Sequence, residues 1–143
     1  MKNIIIDINV LMDFVFQRSG HESAALILKL CYEKKVRGIV CAHEITTLAY
    51  FLTKQMKDKY KIKKTLSDFL DMFEVIEAGT EILRQALFSP ISDYEDAVIE
   101  ASAKTRKVDY IVTRNLNDFK HSSVKALTPE KMLDLLRDYL PSA

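Results

Sequence analysis

The sequence predicts an α/β chain, a three-layer α/β/α sandwich with a central parallel sheet of four to five strands. Three observations support this. Short apolar runs rich in β-branched residues, Ile4-Ile5-Ile6, Ile39-Val40-Cys41, Val75-Ile76 and Tyr110-Ile111-Val112, have the length and character of strands buried on both faces. Between them lie longer stretches with apolar residues every three or four positions, the spacing of amphipathic helices, and this alternation is the pattern of a doubly wound parallel sheet. The composition agrees: 143 residues, 48% hydrophobic and 29% charged, with only 3 Gly and 3 Pro, are enough to bury a core and exclude a disordered or low-complexity chain.

In chain order, Ile4-Ile5-Ile6, cut by Asp7, reads as the central strand. A turn near Arg18-Ser19-Gly20 leads into a helix from His21 to Lys35, with Ala24, Ala25, Leu28 and Tyr32 on one face and Gly38 as its stop. After the second strand, Glu44 to Met56 returns to helical period through Leu48, Phe51 and Leu52. A lysine-rich stretch from Lys54 to Lys64 precedes another helical face at Leu66, Phe69, Leu70 and Phe73, and Glu74-Val75-Ile76-Glu77 makes a third strand punctuated by Gly79. Thr80 is placed to cap a short helix through Leu87, which Pro90 closes. Ser92-Asp93-Tyr94-Glu95 has the form of a capping box opening a helix to about Arg106. Tyr110-Ile111-Val112 is the fourth strand and Val124 to Leu127 a fifth, while Thr128-Pro129 starts a final helix through Leu136. No internal repeat or linker interrupts residues 1–143, so one domain is expected.

Several function classes are disfavoured by composition. The 2 cysteines, Cys31 and Cys41, match no metal-ligand or redox spacing and read as buried thiols. The apolar run after Met1-Lys2-Asn3 is too short for a signal peptide or a spanning helix, so the expectation is a cytoplasmic protein with no membrane partner. With 21 basic and 20 acidic residues, net charge +1, global electrostatics neither demands nor excludes a nucleic acid.

Sites in open α/β sheets form outside the carboxyl ends of the strands, where strand order reverses. Asp7 follows the first strand, Glu44 comes shortly after the second, Asp96 lies in the first turns of the helix before the fourth, and Asp118 follows the fourth. If the first strand sits between the second and the fourth, these four carboxylates converge. They would repel one another unless a cation lay between them. Mg²⁺ or Mn²⁺, hard and oxygen-seeking, suits such a donor set and can activate water against a phosphodiester. The spacing of 93, 96 and 100 also lets Asp93, Asp96 and Glu100 share one helical face.

The segment Ile4-Ile5-Ile6-Asp7-Ile8-Asn9-Val10-Leu11-Met12-Asp13 resembles the opening of PIN domains. Glu44 stands in the place of their second acidic motif, Asp93 through Ala103 resembles the third, and Ile111-Val112-Thr113-Arg114-Asn115-Leu116-Asn117-Asp118-Phe119 the fourth. These motifs come in order over residues 4–119, and the chain length is that of a bare PIN domain of the VapC toxin type. The resemblance implies a Mg²⁺- or Mn²⁺-dependent ribonuclease in which Asp7, Glu44 and Asp96 are the core metal ligands. Asn9 and Thr113 would tune the pocket through hydrogen bonds. It further implies RNA as substrate, a homodimer, and an antitoxin partner that covers the pocket. In one departure Asn115 stands where many members carry an acid; the nearest carboxylate is Asp118, and Asp93 can compensate.

Plainer readings accompany these. Glu95 completes the capping box, Glu100 is a solvated face residue, Asp13 a surface or capping residue, and His21, His43 and His121 show no ligand pairing. The cluster Lys54, Lys57, Lys59, Lys61, Lys63 and Lys64 around Tyr60 is a solvated helix face or an RNA contact, with Arg106, Lys107 and Arg114 as rivals nearer the pocket. Asn115 motivates the alternative of a catalytically weakened PIN-fold module that binds RNA or protein. An aspartyl-phosphate phosphatase or receiver domain fits less well, since the first needs an acid at Asn9 and the second an acid where Gly79-Thr80 stands.

Overall fold

The computed structural model describes residues 1–141. Its elements run β1 (Asn3–Ile6), α1 (Ile8–Val15), α2 (His21–Tyr32), β2 (Arg37–Cys41), α3 (Ala42–Gln55), α4 (Lys59–Met72), β3 (Glu74–Ile76), α5 (Thr80–Ala86), α6 (Tyr94–Thr105), β4 (Tyr110–Val112), β5 (Ala126–Leu127) and α7 (Pro129–Leu135). Short 3₁₀ turns at Leu116–Phe119 and Arg137–Tyr139 complete the described chain.

The five strands form one parallel sheet in the order β3-β2-β1-β4-β5. The chain builds outward from β1 to β2 and β3, then returns to place β4 on the other side of β1, so strand order reverses at β1. Period-two alternation divides its side chains between two layers: Ile4 and Ile6 pack with α1, α2, α3, α4 and α7, and Ile5 packs with α5 and α6. All three isoleucines are completely buried, which explains a β-branched run with no polar alternation.

Local deviations from the sequence expectations have identifiable causes. Ile8–Val15 forms a helix directly after Asp7, in a stretch to which the sequence pattern assigns no element. Gly38 does not stop the preceding helix, which ends at Tyr32; it lies inside β2. A Cβ at Gly38 would stand 2.6 Å from Cys31 Sγ and 2.9 Å from Phe73 Cδ1, so glycine is there to let the sheet and its covering layer approach. Gly79, not Thr80, occupies the N-cap of α5. The fifth strand shrinks to Ala126–Leu127. Both cysteines are free and buried, and burial pushes each thiol up to about 12. Among the described residues no helix is long and apolar enough to cross a membrane.

Candidate metal centre

Asp7 is fixed first by the backbone. Its N–H donates to Val112 O at 2.9 Å, continuing the β1–β4 ladder one residue past the strand, and its carbonyl accepts from Val10 N at 3.0 Å as α1 begins. The side chain is 3% exposed. Oδ2 accepts from the Thr113 hydroxyl at 2.9 Å and, more loosely, from Asn9 Nδ2 at 3.5 Å. Thr113, fully buried, in turn receives the Asn115 backbone N–H at 3.1 Å. Burial pushes the Asp7 carboxyl above its ordinary range, and the bonds from Thr113 and Asn9 only partly offset this.

Glu44 enters from the third position of α3. Its Oε1 accepts the Cys41 backbone N–H at 2.9 Å, so it serves the helix N-terminus, while Oε2 is buried without a hydrogen-bond partner. Burial drives the Glu44 carboxyl well above the ordinary value, and the Asp7 and Asp96 carboxylates raise it further.

Asp96 comes from α6. The helix begins one residue later than the sequence suggests: Asp93, not Ser92, is the N-cap, its Oδ1 accepting the Asp96 N–H at 3.1 Å. Asp96, not Glu95, therefore holds the third helical position, where an acid is favoured by the helix terminus. Helix capping alone does not account for its setting. Its carboxyl is pushed up to about 7, first by burial and then by repulsion from Asp7, Asp93, Asp118 and Glu95.

Asp7, Asn9, Glu44, Asp93 and Asp96 all line one cavity of about 190 Å³ at the carboxyl end of β1 and β2. The convergence follows from the strand order, because α1, α3 and α6 all begin at that edge of the sheet. Asp118 sits in the exposed 3₁₀ turn outside the cavity lining, close enough for its charge to raise Asp96. Thr113 reaches the cavity through Asp7. Asn115 touches this network through its backbone N–H to Thr113.

The cavity also contains His43, Thr47 and Glu95, for which the sequence analysis had no site role. Their signal was present in the spacing: His43 and Thr47 flank Glu44 by one residue and by three on the same helix. Burial pushes the His43 imidazole below its ordinary value against the opposing pull of the Glu95 carboxylate.

Two expected surface acids are buried. Glu100 is 4% exposed, its Oε1 accepting from Ser89 Oγ at 2.7 Å and its Oε2 from Ser123 N at 2.8 Å, so it ties α6 to the loops before α6 and before β5. It is turned away from the cavity that Asp93 and Asp96 line. Asp13, also 4% exposed, lies 3.2 Å from Arg114 Nη1 and so ties α1 to the segment after β4.

The donor set fits a hard divalent cation in kind: carboxylate oxygens from the end of β1 and from α3 and α6, one of them orphaned in the protein interior, with mutual repulsion that a cation would relieve. Among the described residues, however, no three His, Cys, Asp or Glu side chains are gathered tightly enough to enclose an ion. The hydrogen bonds show why. Glu44 Oε1 is turned back to Cys41, Asp7 Oδ2 to Thr113, and Asp93 Oδ1 to the Asp96 amide.

Comparison with known proteins bears on this geometry. The PIN domain family model matches residues 3–117. A search among curated proteins finds no match. Among solved structures, the chain resembles VapBC2 from Rickettsia felis bound to a DNA fragment from its promoter, with a TM-score of 0.70 and 18% identity over 88% of this chain and 98% of that one. A toxin–antitoxin complex from Klebsiella pneumoniae gives a TM-score of 0.67 and 20% identity, covering 88% of this chain and 97% of the other. The sarcin-ricin loop cleaving toxin VapC20 of Mycobacterium tuberculosis gives 0.59 and 13%, covering 76% and 86%. At such identities the likeness is one of fold.

Proposed function

The chain belongs to the PIN domain family, and on that premise we propose that it is a metal-dependent endoribonuclease hydrolysing RNA phosphodiester bonds. The observation that carries this reading is the group of carboxylates Asp7, Glu44 and Asp96 around one cavity at the reversal point of the sheet, with Glu44 Oε2 buried and unpaired. Burying charges of one sign together is unfavourable unless a counter-charge is part of the working state.

Asp7, Glu44 and Asp96 are the residues that would hold Mg²⁺ or Mn²⁺, with Asp93 beside them and Asp118 at the approach. Such an ion supplies Lewis acidity at the phosphoryl oxygens, charge neutralisation and an acidified water. The chain's own contribution is placement. Thr113 and Asn9 hold the Asp7 carboxylate from the inner side, and the Cys41 amide holds Glu44. Asn115 adds no charge, so the protein's negative charge is concentrated on the β1, α3 and α6 side of the cavity. No side chain is required as a covalent nucleophile.

The reading extends to partners. The Klebsiella structure is a toxin–antitoxin complex, and the Mycobacterium protein is a toxin that cleaves the sarcin-ricin loop. By that analogy of fold this protein is the toxin of a toxin–antitoxin pair, a cytoplasmic homodimer whose antitoxin covers the carboxylate cavity, and residues 1–143 act as one domain. Folded Asp7→Asn and Asp96→Asn proteins are expected to lose Mn²⁺-dependent cleavage of single-stranded RNA by at least about a hundredfold. Cleavage at the parent rate would refute the assignment.

A second reading is favoured by the loose spacing of the acids and by Asn115: a PIN fold that binds RNA or protein without cutting. Calorimetric titration with Mn²⁺ separates the two. No heat of binding at millimolar metal favours the module, whereas saturable binding lost in Asp7→Asn favours the nuclease.

A further inference from the structure

A second, more apolar cavity of about 440 Å³ adjoins the carboxylate cavity, and His43 and Glu95 line both. Its remaining walls come from the start of α3 (Ala42), the end of β3 (Glu77, Ala78), α5 (Leu83) and α6 (Tyr94, Val98). The Tyr94 ring is 45% exposed yet held in place, because its hydroxyl donates to Leu83 O at 2.8 Å. Leu83 is itself 38% exposed. This combination, a tethered aromatic ring, an apolar floor and two carboxylates at the rim, selects among ligands. The carboxylates of Glu77 and Glu95 repel phosphate and accept hydrogen bonds, so an uncharged flat ring bearing N–H donors is complementary and a phosphate is not.

We infer that this cavity is the subsite for the nucleobase next to the phosphodiester that is cut, with Tyr94 as its stacking platform and Glu77 and Glu95 as the acceptors that choose the base. The inference rests on the proposed ribonuclease reading and names the feature of RNA that the site would grip. Single-stranded RNA is recognised by unstacked bases laid on aromatic rings and read along their hydrogen-bonding edges. Guanine offers a carboxylate two adjacent donors, N1–H and the N2 amino group, and cytosine and adenine each offer an exocyclic amino group. Uracil offers a single N3–H between two carbonyls that face the carboxylates unfavourably. The subsite therefore favours guanine over uracil. The wall that it shares with the carboxylate cavity, His43 and Glu95, places the selected base beside that cavity, and it makes Tyr94 and the two glutamates specificity-determining residues.

The test separates base recognition from cleavage. Hexameric RNAs with guanine or uracil at a single central position, in a common adenine background, are titrated against the metal-free full chain in EDTA by fluorescence anisotropy. Cleavage of the same oligomers is mapped with Mn²⁺. The parent is expected to prefer guanine by about tenfold in affinity and to cut beside it. Tyr94→Ala should weaken binding by about tenfold, Tyr94→Phe, which keeps the stacking face and loses the bond to Leu83 O, should weaken it by less, and Glu77→Gln should narrow the preference without abolishing binding. A parent that cuts RNA but shows the same affinity and cut sites as folded Tyr94→Ala overturns the subsite and leaves the nuclease reading standing. A parent that binds no RNA in EDTA and cuts none of these oligomers with Mn²⁺ overturns both. If Tyr94→Ala or Leu83→Asp lowers the sedimenting mass and leaves RNA affinity unchanged, the cavity is a contact between two copies of the chain and the inference is wrong.

Discussion

Removing one carboxylate from the metal-free centre is expected to stabilise the protein. The Asp96 carboxyl is pushed from an ordinary 3.8 up to about 7, and at about 1.4 kcal/mol per pH unit the whole displacement corresponds to about 4 kcal/mol. Asp96 keeps part of its surface in water, so screening reduces this by roughly half, to about 2 kcal/mol. The sign follows from proton uptake: between pH 3.8 and about 7 the folded chain binds more protons at this position than the unfolded chain does. Stability of the parent therefore falls as pH rises through that window and levels off above it. Asn has nearly the same shape and no charge, so Asp96→Asn should be more stable than the parent by about 2 kcal/mol at pH 8 and by under about 1 kcal/mol at pH 5. For a chain of this size that is a rise in melting temperature of roughly 6 °C at pH 8 and roughly 2 °C at pH 5. The assay is thermal unfolding followed by circular dichroism in EDTA, repeated with millimolar MnCl₂. Mn²⁺ should raise the parent more than the variant, because a ligand that binds only the folded state stabilises it. Equal melting temperatures for parent and variant at pH 8 in EDTA would refute the argument that burial, with repulsion from the neighbouring acids, penalises the Asp96 carboxylate in this cavity.

Gly38→Ala should cost about 2 kcal/mol, since its Cβ would press on Cys31 Sγ and Phe73 in a filled layer; chemical denaturation measures this, and an unchanged midpoint would show that the layer yields. Glu100→Ala should cost about 2 to 3 kcal/mol by leaving the Ser89 hydroxyl and the Ser123 N–H without their acceptor, and hydrogen exchange should show faster opening of the Ser122–Val124 segment. The same variant should keep Mn²⁺ affinity within about twofold of the parent, because Glu100 faces away from the carboxylate cavity.

The parts of the fold that were legible in the sequence are those governed by period and burial. The isoleucine run and its partners at 39–41 and 110–112 are strands because a sheet covered on both faces tolerates no polar alternation, and the sequence shows none. What period could not show was the helix at Ile8–Val15, whose apolar residues are too dense to display a polar face and which is buried along Val10, Leu11, Met12 and Asp13. Gly38 misled because a glycine after a helix is usually a stop, and only the distance to Cys31 and Phe73 reveals a packing role.

The acids were legible in a different way. Asp7, Glu44 and Asp96 could be grouped from sequence only by assuming that β1 lies between β2 and β4, an adjacency the sheet order supplies. Glu100 and Asp13 are polar residues whose neighbours along the chain give no hint of burial, because their partners, Ser89, Ser123 and Arg114, come from distant loops. This difference bears on function. Glu100 is a buried acid satisfied by hydroxyl and amide donors, while Asp13, whose Oδ1 accepts no hydrogen bond, has the Arg114 guanidinium 3.2 Å away as its counter-charge. Glu44 is equally buried, yet one of its oxygens has no hydrogen-bond partner and its charged neighbours are of its own sign. A fold that gives one buried carboxylate its donors and a second a counter-charge, and leaves a third among like charges, has the feature that supports the proposed cation site.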